Sequence, residues 1–240
     1  LSQKRWQPLG GEILSQQQWH TPICLKAGPE GEKVCTILKD VTSTLELPSC
    51  PAAVVPNPGG VAYLLWSMPT PWLNKLLTTL KDSPEIDRVS AVGNIRLLYQ
   101  SGELSAADLL SIAPAMLSDS SARVRNSALS LIGTLSPLVS AEFRPQWNQW
   151  IGQLVAPLVQ ELGWGSDTTK DPKEVWDLRK KVLSMAGKQG AHADVIAEAT
   201  KRSKAFLNGG EIKRELASTA LTIYAYHNGP KLFKEIQVVF

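Results

Sequence analysis

The chain has 240 residues, 43% hydrophobic and 20% charged, with a formal net charge of +3, a composition that excludes disorder and supports one large folded domain, or one with a small companion. No apolar run approaches the roughly 20 residues that a membrane-spanning helix needs, and no leader-type apolar segment follows Lys4 and Arg5. The charge is too small and too mixed in sign to mark a nucleic-acid binder.

Residues 1–68 read as a β domain. Between Trp19 and Leu25 β-forming residues surround Pro22, Lys33–Leu38 runs Lys-Val-Cys-Thr-Ile-Leu, and Val61–Met68 is a nearly continuous apolar run. Gly28-Pro29-Glu30-Gly31 separates the first two, and Pro56-Asn57-Pro58-Gly59-Gly60 precedes the last. A sheet of three or four strands follows, with open edges that require it to complete or pack on something larger. Cys24, Cys35 and Cys50 match no zinc-ribbon or redox spacing. They read as buried or half-buried thiols, with a single disulfide as the alternative.

Past Pro69 the period changes. Val89, Val92, Ile95 and Tyr99 keep to one helical face, as do Val124, Ala128, Leu131 and Leu135. Eight helices are expected, over Pro71–Lys81, Pro84–Ser101, Ser105–Leu117, Ser121–Leu135, Ala141–Leu162, Pro172–Gln189, Ala193–Asn208 and Gly210–His227, with a short ninth near Leu232. Ser83-Pro84, Ser105 three residues before Asp108, and Asp171-Pro172 with Glu174 are start signals, while Gly102, Gly163 and Gly190 serve as stops. Short links force antiparallel neighbours, and uninterrupted pairs build a solenoid. Asp119–Arg125 with Ala128 and Leu131 resembles the second helix of a HEAT repeat. The fold class is therefore mainly α with an N-terminal β piece: a small β-sandwich over 1–68, then a HEAT-like α-solenoid over 69–240.

The chemistry is sparse. A hydrolytic zinc site on a helix needs two His four residues apart with a Glu as base, whereas His20, His192 and His227 are isolated. No nucleophile elbow, phosphate loop or dinucleotide fingerprint occurs, and Gly59-Gly60 precedes a strand-like run, the wrong order for a phosphate cradle. Asp82, Glu85 and Asp119 sit at helix starts, where carboxylates cap the backbone. Trp147, Trp150 and Trp176 read as core anchors between helices. The runs Arg179-Lys180-Lys181 and Lys201-Arg202-Ser203-Lys204 adjoin Asp177 and Glu198 and read as solvated helix faces. No catalytic or metal-ligating residue is assigned, and no substrate-binding residue can be named.

Three ordered stretches resemble the C-terminal half of M1-class zinc aminopeptidases, the family of aminopeptidase N and the puromycin-sensitive and endoplasmic-reticulum aminopeptidases. Ser2-Gln-Lys-Arg-Trp6, Trp19-His-Thr-Pro22 and Val54-Val-Pro-Asn-Pro-Gly-Gly-Val-Ala-Tyr-Leu-Leu-Trp66 look like the strands of that family's small β-sandwich, with Leu64 and Leu65 where Arg is common. Asp87–Ser105 is similar to its first long helical pair. Pro157-Leu-Val-Gln-Glu-Leu-Gly-Trp164, Leu178-Arg-Lys-Lys-Val-Leu183 and Ala197-Glu-Ala-Thr200 resemble a later run, and Ile223-Tyr-Ala-Tyr-His-Asn-Gly229 with Leu232-Phe233 fits a further helix pair.

The resemblance implies a fragment of a larger enzyme, which the start at Leu1 without Met also suggests. In such an enzyme zinc and the catalytic residues lie upstream, and the helical domain closes over the catalytic domain around a cavity that admits peptides. The expected role is a non-catalytic, substrate-enclosing module, with no cofactor of its own, zinc in the parent, and as partners a peptide and the upstream catalytic domain. A free-standing HEAT-like scaffold for protein partners is the alternative.

Overall fold

Cys24 stands four residues before Gly28, and Cys35 four residues after Gly31. A hairpin closed by that Gly-Pro-Glu-Gly turn therefore places the two cysteines opposite each other. In the computed structural model, which describes residues 1–12, 17–165, 170–229 and 232, β1 (Thr21–Ala27) and β2 (Lys33–Leu38) pair antiparallel with Cys24 facing Cys35. The pair is a disulfide and Cys50 an exposed free thiol, so the expectation of three thiols is corrected: spacing along the chain does not reveal cross-strand register, and register makes the bond. Gly31 is required at the turn, because a Cβ there would lie 2.1 Å from the Ala27 carbonyl oxygen.

The third strand, β3 (Val54–Pro56), pairs with Leu25–Ala27 on the other side of β1, giving the order β2-β1-β3. Pro22 is tolerated in the central strand because it lies in the half of β1 where β2 is the one ladder partner. The expected strand over Val61–Met68 does not form. Asn57 adopts φ 49°, and Pro58–Gly60 makes a single 3₁₀ turn that carries the chain off the sheet. Beyond it the backbone is held by side chains instead of a ladder. Asn57 accepts from the Ala62 N–H at 3.1 Å and donates to the Ala62 carbonyl at 2.9 Å. Asn94 accepts from the Trp66 N–H at 3.0 Å and donates to the Trp66 carbonyl at 2.6 Å.

Contacts divide the chain into two compact units, 1–132 and 133–240. The first holds the sheet, α1 (Thr70–Thr79), α2 (Glu85–Gln100), α3 (Ala106–Leu117) and most of α4 (Ala122–Gly133). Val55 of β3 and Ala53 pack on Leu76, Leu80 and Ala91, with Trp66 and Met68 closing the cluster. Leu73, Leu76, Ile95, Leu109 and Ile112 are fully excluded from solvent, each stabilising the fold by about 1.5–3 kcal/mol. The capping box at α3 forms as the spacing requires: Ser105 Oγ accepts from the Asp108 N–H at 3.0 Å while the Ser105 N–H donates to Asp108 Oδ2 at 3.3 Å. The segment Ser2–Trp6 runs beside residues 40–43 through a bridge from Ser2 to Thr42, and the Trp6 indole N–H donates to the Leu97 carbonyl at 3.1 Å.

The second unit holds α5 (Arg144–Leu162), α6 (Lys173–Lys188), α7 (Ala193–Leu207) and α8 (Arg214–Asn228). Helix α6 packs against the other three, and α7 against α8. This explains why α6 buries Trp176, Leu178, Val182, Leu183, Met185 and Ala186. Gly163 ends α5 at φ 47° as expected, but Gly190 is not the left-handed residue after α6; Ala191 is, at φ 48°. Gly190 serves close packing instead, since a Cβ on it would lie 2.9 Å from the Gly152 Cα. Of the expected ninth helix, Leu232 is helical and buried, and its remaining residues lie outside those described. The described fold is mainly α, with eight helices and one antiparallel three-stranded sheet near the N-terminus.

Candidate functional site

Polar side chains gather at two places. In the first unit Arg88 of α2 meets Asp119 before α4 at 2.6 Å, their side chains 12% and 8% exposed. Asp119 also accepts from the Ser121 N–H at 2.7 Å, and its backbone carbonyl accepts from Arg125 Nε. Ser121 Oγ accepts from the Val124 N–H at 3.3 Å and donates to Glu85 Oε1 at 2.5 Å, while Arg123 pairs with Glu85 at 3.3 Å. Asp119 thus caps the start of α4 as the sequence indicates and also staples α4 to α2. A carboxylate with this many donors is held ionised and engaged, which suits positioning of helices rather than proton transfer.

In the second unit the indole of Trp176 carries two cations, Arg179 and Lys213, each 4.3 Å from its centroid. Arg179 is buried, contrary to the expected solvated basic face. Its Nε donates to the Leu162 carbonyl at 3.0 Å and its Nη2 pairs with Asp171 at 2.7 Å, tying the end of α5 to the approach to α6. Lys180 and the second basic run behave as expected: Lys180 pairs with Asp177 at 2.8 Å, and Glu198 takes Arg202 at 2.8 Å and Lys201 at 3.6 Å. Trp147 and Trp176 are core anchors, with Trp150 5.5 Å from Trp147.

Titration shifts are confined to helix-surface pairs. The Asp108 carboxyl lies below its ordinary value, first through Ser105 Oγ and then Thr70. Asp177 is lowered chiefly by its hydrogen bond from Lys173, whose own value the same bond raises. None of these pairs lines a cleft. Trp72, by contrast, is half exposed and with Val54, Met68 and Pro69 lines an apolar slot of about 210 Å³.

A zinc ion does not fit the donors present. His20 is exposed, His192 occupies the N-cap of α7, and His227 Nε2 is bonded to the Gly187 carbonyl at 2.7 Å. Among the described residues no group of three or more His, Cys, Asp or Glu is placed to hold a metal, and no helix is long and apolar enough to cross a membrane. The buried Asn94 and Arg179 were not singled out as structural polar groups from sequence. A signal existed for the first, since Asn94 lies among Ala91, Val92, Ile95 and Leu98 on the apolar side of its helix.

Comparison with curated proteins brought no match. The family model of the ERAP1-like C-terminal domain matches residues 53–239, from the foot of β3 through all eight helices. With most of its length so matched, the chain belongs to the ERAP1-like C-terminal domain family, the C-terminal part of M1-type aminopeptidases.

Proposed function

We propose that this chain is the non-catalytic C-terminal module of an M1-type zinc aminopeptidase, its helices walling a chamber that holds a peptide while an upstream domain removes the N-terminal residue. In this reading residues 1–68 belong to a β-sandwich and 69–240 to a HEAT-like domain, and the zinc is held by residues of the parent enzyme outside this chain. The observation that carries it is the family match over 53–239. Supporting it, the charged networks around Asp119 and Arg179 join helix to helix, as a rigid wall requires.

The test has two arms. The 240-residue chain, supplied with zinc and aminoacyl-fluorogenic substrates, is expected to show neither turnover nor stoichiometric metal, and robust turnover overturns the non-catalytic role. Deleting residues 69–240 from the parent enzyme is expected to abolish the dependence of rate on peptide length while single-residue substrates are still cleaved. A length dependence that survives the deletion overturns the chamber.

A further inference from the structure

The segment after the Pro58–Gly60 turn has an edge that nothing described covers. Its side chains alternate from residue 61 to 69, odd positions exposed and even positions half-buried. Val61 is 63% exposed, Tyr63 fully exposed and Leu65 38%. The backbone divides the same way. Ala62 and Trp66 give both N–H and C=O to Asn57 and Asn94, and the Leu64 N–H bends back to the Ala62 carbonyl. The N–H and C=O groups of Tyr63, Leu65 and Ser67 bond to no described residue. Alternating free donors and acceptors on one side of an extended chain are the template for strand addition.

We infer that the outer edge of Tyr63–Ser67 receives an added β-strand, uncharged and apolar at alternate positions, donated by polypeptide outside these 240 residues and not by a second copy of them. The chemistry of that strand follows from the surface. No Asp, Glu, Lys or Arg occurs between Glu46 and Lys75, so the charges that normally protect an exposed edge are missing here and a charged strand would find no counter-ion. The slot between Val54, Met68, Pro69 and Trp72 adjoins the segment's C-terminal end and suits an apolar side chain. A second copy is disfavoured by size: the free edge spans five residues, and a stable dimer uses about 20–30 a side. An added strand needs only main-chain bonds and one or two side-chain pockets. The inference does not depend on the peptide-chamber reading.

The probe is a capped peptide, Val-Thr-Val-Thr-Val flanked by two lysines at each end, against the same peptide N-methylated at all five central residues. Amide exchange of the 240-residue chain is followed by NMR, with sedimentation at the same concentrations. The unmethylated peptide is expected to slow exchange at Leu65 and Ser67 at least tenfold near saturation, and the methylated one to leave it unchanged. Leu65→Pro, which removes a donor with no described internal partner, is expected to abolish the protection at Ser67 with the thermal melt intact. Equal effects of the two peptides, no protection by either, or protection that instead grows with protein concentration alongside a dimer each overturn the inference. If Leu65→Pro unfolds, the methylated pair still decides.

Discussion

Asn94→Leu is the substitution that most directly tests how the first unit is held together. Asn94 is 5% exposed and spends its whole amide on the backbone of Trp66, accepting at 3.0 Å and donating at 2.6 Å. Leucine keeps the volume and the contact with its apolar neighbours, so the loss is confined to two hydrogen bonds and the two Trp66 groups left behind. Each bond contributes about 1 kcal/mol net, and each stranded group costs about 1–3 kcal/mol when buried. Trp66 is only half-buried, so water recovers part of that cost and the total is about 2–4 kcal/mol. For a unit of this size that lowers Tm by roughly 10 °C. The assay is a guanidinium melt followed by circular dichroism, with amide exchange at Trp66 as the local readout. The midpoint should fall at unchanged slope, and Trp66 should lose its protection. Asn94→Asp, which keeps the acceptor but sets an oxygen against the Trp66 carbonyl, is expected to be at least as costly. A change within about 0.5 kcal/mol in Asn94→Leu would refute the reasoning, leaving the packing of Trp66 and Met68 as what holds the segment.

Two further outcomes follow from local chemistry. With Cys24 and Cys35 bonded, the oxidised chain should take up one maleimide, at Cys50, and three after unfolding and reduction; three without reduction would refute the bond. Replacing both by serine should cost about 3 kcal/mol, the loop entropy of a closure this short, measured by urea melts. Asp108 titrates lower in the folded chain than in the unfolded one, so its contribution is complete above the ordinary carboxylate range and is lost as pH falls through the folded value. Ser105→Ala removes the largest cause and should move the Asp108 titration upward in a carbonyl ¹³C NMR experiment. No movement would assign the shift to Thr70.

Sequence by itself determined the elements whose causes are local. Eight apolar stripes of period three to four became eight helices with ends shifted by a few residues, the Ser105 capping box appeared as spaced, and β2 occupies Lys33–Leu38 residue for residue. The ordered stretches over residues 54–200 pointed to the family that the match over 53–239 shows. Only tertiary structure decided which groups meet. Val61–Met68 has the composition of a strand, but strand formation needs a ladder partner, and here two asparagines take that place. Arg179 has the sequence setting of a solvated cation and is instead drawn between Leu162, Asp171 and Trp176. Cys24 finds Cys35 only once the hairpin register is set. Periodicity and caps act over one or two turns and are written along the chain, whereas a buried polar group is fixed by the partner that offsets its desolvation, and that partner is far away in sequence.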